Sequence, residues 1–140
     1  MPLWILYALL AMFFAGLTSI LAKRGLENIH PDLGLGIRTT VIFLLIIAIN
    51  VAGDRLRDWG ALTKVQLWLL IASGVTTTLS WLFYYRAMKE GPVSYVATID
   101  KGSIIITLAL SFFLLKEPMT PKVLAGGGLV LAGLLVLVWK

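Results

Sequence analysis

Asp100 and Lys101 stand side by side inside the apolar run Val93–Leu115, and Arg38 stands inside another, Leu33–Ala52. A charge at the centre of a bilayer costs about 2.5–3.5 kcal/mol, so such residues mark either a buried ion pair or a path for a polar solute. From Asp100 the polarity continues at helical spacing through Ser103, Thr107 and Ser111. A second row, Ser73, Thr77, Ser80 and Tyr84, runs along a third apolar segment. The chemistry on offer is recognition: Arg38 and Lys101 to attract an anionic or zwitterionic group, Asp100 to pair or titrate, and hydroxyls to line the route. No catalytic set accompanies them. The single His30 has no nucleophile or carboxylate held beside it by a motif, and no phosphate loop, dinucleotide fingerprint or metal-ligand spacing occurs. The expectation is a protein that is not an enzyme and needs neither metal nor cofactor.

Two readings of the charges stay open at this point. Arg38 lies about one and a half turns into its segment, on the same membrane side as Asp100. In the structural reading the two pair and order the bundle while Lys101 stretches its stem toward the headgroups. In the functional reading the substrate-contacting residues are Arg38, Asp100, Lys101, Ser103, Thr107, Thr77, Ser80 and Tyr84. Asp100 and Lys101 are expected to point about 100° apart on a helix and so not to pair with each other. The row through Tyr84 is open in the same way, to helix packing or to pore lining.

The elements that must position these groups follow from composition. Of 140 residues, 59% are hydrophobic and only 14% charged, and the mean hydropathy is +0.94; soluble domains average about a quarter charged residues. Five apolar segments, at about 3–22, 33–52, 65–88, 93–115 and 123–139, each have a length that suits a hydrocarbon core of about 30 Å. Backbone groups facing lipid need internal partners, so each segment is a helix and the class is all-α, a polytopic membrane protein of five transmembrane helices. Turn chemistry separates them: Asn28, Pro31 and Asp32 after the first, Gly53 and Gly60 after the second, Gly91-Pro92 after the third, and Thr120-Pro121 set to cap the fifth. The first segment lacks a basic residue before its apolar run and a clear small-residue cleavage site, and is expected to be a retained helix. Trp4, Tyr7, Trp59, Trp68, Tyr84, Tyr85, Tyr95 and Trp139 mostly fall near segment ends, as an interfacial belt would require. Tyr84 and Trp81 are the candidates for more than anchoring. The net charge of +5 comes from bases at segment ends, so nucleic acid is not an expected partner. With no cysteine the chain has no disulfide, thiolate ligand or thiol nucleophile.

From Tyr84 onward the text resembles the second part of an EamA domain, the repeat unit of the drug/metabolite transporter superfamily. The residues that carry the resemblance are Ala87-Met88 closing segment three, Leu115 and Glu117 at the next loop, and Gly126, Gly127, Gly128 and Gly133 in segment five. Gly16, Ser19 and Arg38 fit upstream. The chain departs from the commoner pattern in having Asp100-Lys101-Gly102 where many members place a proline. The resemblance implies a single EamA-like domain over 1–140, like the five-helix bacterial and archaeal subgroup. It further implies a secondary transporter of a small metabolite or drug-like solute in the cytoplasmic (inner) membrane of a prokaryote. Small multidrug-resistance proteins, a neighbouring family, carry a membrane-embedded glutamate in their first of four helices; segment one here has no acidic residue. The alternative function is a non-transporting membrane subunit that packs on a partner through segment five, where Gly126 and Gly133 lie seven apart.

Orientation is the last expectation. Arg55, Arg57, Lys64, Lys116 and Lys122 fall on one side of the membrane, and Lys23, Arg24, Arg86, Lys89 and Lys140 on the other: five bases against five. Even adding Arg38 and Lys101 to the second side leaves almost no bias to set topology. The chain is therefore expected to insert both ways round and to work as an antiparallel homodimer by alternating access.

Overall fold

The computed structural model describes residues 2–139. Among them there are helices and no strand, and five helical spans are long and apolar enough to cross a membrane. The chain divides into two compact units, residues 1–90 and 91–140.

The first unit contains α1 (Leu3–Gly25), α2 (Pro31–Ala52), a short 3-10 helix (Arg55–Ala61) and α3 (Lys64–Glu90). Local chemistry sets the starts. His30 caps α2 by accepting the Asp32 amide, with Pro31 in the first turn where no amide partner is needed. Thr63 and Gln66 satisfy each other's backbone amides at the start of α3, at 3.0 and 3.3 Å. Asn28 closes the turn after α1 in a left-handed conformation, φ 61°, which asparagine tolerates better than most residues. The stretch between α2 and α3, which reads as loop, winds into the 3-10 helix, with Arg57 reaching back to Asp54 at 2.9 Å.

Within this unit the tight packing lies at one membrane face. Leu26, Leu35, Tyr85 and Met88 are buried, Met88 completely, while nearly every other large apolar side chain is exposed. Exposed leucines and phenylalanines suit spans whose surroundings are apolar. Tyr85 is thus a core residue and not the interfacial anchor expected; it sits where α3 meets α2 and the end of α1. Trp4, Trp59, Trp68 and Trp139 are exposed, as belt residues should be.

The second unit contains α4 (Val93–Asp100), α5 (Ser103–Leu115) and α6 (Pro121–Val138). Thr120 caps α6 by accepting the Val123 amide, with Pro121 next, as expected. The fourth span, Val93–Leu115, is not one regular helix. At Lys101-Gly102 the backbone tightens to i→i−3 hydrogen bonds: Lys101 to Thr98, Gly102 to Ile99, Ile104 to Lys101 and Ile105 to Gly102, at 2.8–3.1 Å. Glycine is required here, because a Cβ at Gly102 would lie 2.9 Å from the Ile99 carbonyl oxygen and 3.2 Å from Leu134 of α6. Gly127 of α6 likewise makes room for Leu108 of α5.

Candidate functional site

Arg38 projects from the second turn of α2 onto α3, where its guanidinium carbon sits 3.8 Å from the centre of the Trp81 ring and 5.7 Å from that of Tyr85. A stacked guanidinium uses its π-face on the aromatic rings and leaves its N–H fork free at the edges. Within residues 2–90 no carboxylate lies within ion-pair distance of it. Arg38 and Tyr85 form one side of a cavity of about 360 Å³ between α1, α2 and α3, whose other walls include Thr18, Leu21, Ala22 and Ile37. That size falls in the lower part of the range for small-molecule sites, about 300–1,000 Å³. Trp81 itself lines a second groove, of about 550 Å³, together with Thr39, Thr40, Phe43 and Thr77.

The polar row of α3 is divided by the fold. Tyr84 is half-buried and exchanges a hydrogen bond with Ser19 of α1, Oη to Oγ, at 2.8 Å. Its role in the unit is helix packing. Thr77 lines the second groove, whereas Ser73 and Ser80 are exposed.

In the second unit Asp100 and Lys101 do pair, Nζ to Oδ2 at 3.6 Å, and both are solvent-accessible or lipid-accessible in the unit. The expectation that they point apart fails for a physical reason: α4 ends at Asp100, the next two residues wind more tightly than an α-helix, and the lysine stem is long enough to turn back. Arg38 and Asp100 fall in different units. Ser103 and Thr107 are exposed on α5, and the Thr107 hydroxyl donates to the Ser103 carbonyl at 3.0 Å, so it carries its own partner in lipid. Ser111 is half-buried.

Sequence reasoning missed the group that closes the packed face of the first unit. Arg86 of α3 grips Asp32 of α2 with two bonds, Nε to Oδ1 at 3.2 Å and Nη2 to Oδ2 at 2.9 Å. This is the fork geometry that makes arginine–carboxylate pairs directional. Beside it, Lys23 of α1 donates to the Met88 carbonyl and Lys89 of α3 donates to the Leu26 carbonyl, both at 2.6 Å. Each lysine caps the other helix, and the negative ends of two parallel dipoles are neutralised where they meet. A signal was present: odd-numbered spans in a bundle end on the same face, and both carry bases in their last turn.

Five membrane-length helices define a polytopic membrane protein, and its first unit holds a cavity of solute size with a cation at the wall. Comparison with known proteins agrees. Residues 2–139 match the EamA-like transporter family, and the chain belongs to it. It is 36% identical over 137 residues to an "Uncharacterized transporter in cobO 3'region" of Sinorhizobium sp, covering 96% of this chain and 95% of that one. It is also similar to a "Probable amino-acid metabolite efflux pump" of Salmonella typhimurium, 32% identical over 133 residues, and to one of that name from Escherichia coli, 29% identical over 133 residues. These cover 94% of this chain but only 41% of either pump. No solved structure matches the chain.

Proposed function

We propose that the protein is a secondary transporter of a small metabolite or drug-like solute, working by alternating access as an antiparallel homodimer in the cytoplasmic membrane of a prokaryote. The observation that carries this reading is Arg38, a cation at the wall of a solute-sized cavity whose guanidinium carbon lies 3.8 Å from the Trp81 ring centre, with no carboxylate partner in its unit. A cation needed only to order the bundle would be expected to carry its counter-ion, as Arg86 carries Asp32. Of the residues proposed to meet the solute, Arg38 lines the cavity of the first unit, Thr77 lines its second groove, Ser80 is exposed and Tyr84 is tied to Ser19; in the second unit Asp100, Lys101, Ser103 and Thr107 are exposed. The names of the two efflux pumps point to amino-acid metabolites, solutes whose anionic end would suit Arg38 and Lys101.

Residues 1–140 act in this proposal as one EamA-like repeat, and two copies of opposite orientation restore the length that the two pumps hold in one chain. The near balance of bases between the faces supports insertion both ways round; Lys140, one of those counted, lies outside the described residues. In α6 the Gly127 and Leu134 face is taken up by α5 and by Gly102, while on the face that Gly126 and Gly133 share a Cβ at either would meet nothing within 4 Å. That open face suits a second copy, which also absorbs the feature that otherwise favours a non-transporting subunit. The test is solute flux in proteoliposomes with a panel of acids, amines and neutral solutes. Arg38→Gln and Lys101→Ala should each lower flux without loss of inserted protein; flux untouched by both would remove the site. A single cysteine introduced at the carboxyl end of a chain that has none should be labelled from both faces of the membrane. Labelling from one face only excludes the antiparallel pair.

A further inference from the structure

Resting on that reading, we infer that the cavity between α1, α2 and α3 takes the carboxylate of a small monocarboxylic acid with an apolar body, and that it does so without pairing an ammonium group. Three features of the cavity lead there. Its one charged wall is Arg38, whose guanidinium carbon lies 3.8 Å from the centre of the Trp81 ring, a stacking contact that leaves the N–H fork for a ligand. A fork presented in this way matches two carboxylate oxygens. The rest of the wall is mostly apolar, with Leu21, Ala22 and Ile37 beside Thr18, so an aliphatic body gains burial and a second charge gains nothing. No carboxylate lines the cavity, and the nearby acid of α2, Asp32, has both oxygens committed to Arg86. An ammonium group would be desolvated there without a counter-charge.

Trp81 and Tyr85 are positioning residues in this arrangement. They hold a cation that would otherwise extend toward the headgroups, and Tyr85 can do so because it is itself buried at the α2–α3 seam. The Cβ that an alanine would add at Gly34 falls 2.6 Å from Leu26, so the cavity wall at these two residues is closely packed.

The experiment uses the full chain purified into lipid nanodiscs, with 4-methylpentanoate as probe and 4-methylpentanamide as its uncharged isostere, at a pH where the acid is ionised. Tryptophan fluorescence reports binding. Trp81→Phe, with the other four tryptophans kept, assigns the signal. The acid should bind saturably and about tenfold or more tighter than the amide, the worth of a charge-assisted hydrogen bond. Arg38→Gln should erase that preference, and Arg38→Lys, which keeps the charge but loses the fork, should retain part of it. Equal binding of acid and amide to the native chain overturns the inference, whatever the variants do. Acid affinity unchanged in folded Arg38→Gln overturns it too. Flux separates the two levels: an Arg38-dependent acid preference in a chain that moves no solute would sustain the site and sink transport. Flux of other solutes with no acid preference would do the reverse.

Discussion

Both units return hydroxyls to their own helix, Thr39, Thr40, Thr76 and Thr78 in the first and Thr98 and Thr107 in the second. Among the described residues the first also sends polar side chains between helices: Ser19 to Tyr84, Lys23 and Lys89 to each other's helix ends, Arg86 to Asp32, and Arg38 onto Trp81. In the second they turn back on their own segment: Thr98 to Ser94, Thr107 to Ser103, Lys101 to Asp100. Lipid supplies no hydrogen bonds, so either solution removes the penalty. Only the first also fixes one helix against another. The first unit is therefore pinned by polar contacts at one membrane face, and the second is held by small-residue packing, Gly127 against Leu108 and Gly102 beside Leu134. Arg38 is the exception in the first unit, a cation whose contacts are aromatic and whose hydrogen-bonding edge is unused. On the proposed function, that contrast separates a binding group from a tie.

The sharpest break in the comparison comes from crowding the pinned face. Gly34→Val places atoms into Leu26, which is 2% exposed, and toward Ile29. A loss of about 1–3 kcal/mol is expected from overpacking, read as a lower unfolding midpoint in detergent. Gly127→Ala in the second unit meets only the end of the Leu108 side chain, which can rotate away, so its midpoint should fall less. Equal losses would remove the distinction between the units.

A smaller effect separates interhelical from local hydroxyls. Ser19→Ala removes the bond to Tyr84 and should cost about 0.6 kcal/mol, the typical worth of such a bond in a membrane protein. Thr107→Val removes a bond made within α5 and should stay within about 0.5 kcal/mol of the native protein. A cost at Thr107 above that at Ser19 would show the polar row of α5 to be structural after all.

How far these features were legible in the sequence depends on their range. Helix number, class and caps are local: apolar length, Pro31 and Thr120-Pro121 specify them, and the spans extend the expected ones by at most three residues at an end. The break at Lys101-Gly102 was half legible. The charges and the glycine were visible, but the reason for the glycine, the Ile99 carbonyl and Leu134, depends on how α6 packs. The partners of Arg86, Lys23 and Lys89 were not legible, because a base at a helix end reads equally as a headgroup anchor until the neighbouring helix is in place. Trp81 reads as more than an anchor from its place beside the α3 row, and Arg38 rests on it; Tyr85 reads as an anchor and is core.

The central claim is that two arginines facing the α2–α3 seam do different work, Arg86 as a tie and Arg38 as a binder. Thermal unfolding of Arg38→Gln and Arg86→Gln, side by side in one detergent, tests it most directly. Arg86→Gln leaves Asp32 without its partner and should lower the midpoint. Arg38→Gln loses its stacking, worth about 0.5–2 kcal/mol, but also relieves a cation placed within a membrane span, and its midpoint should stay close to that of the native chain. A fall at Arg38→Gln as large as at Arg86→Gln would make Arg38 a structural ion and contradict the account.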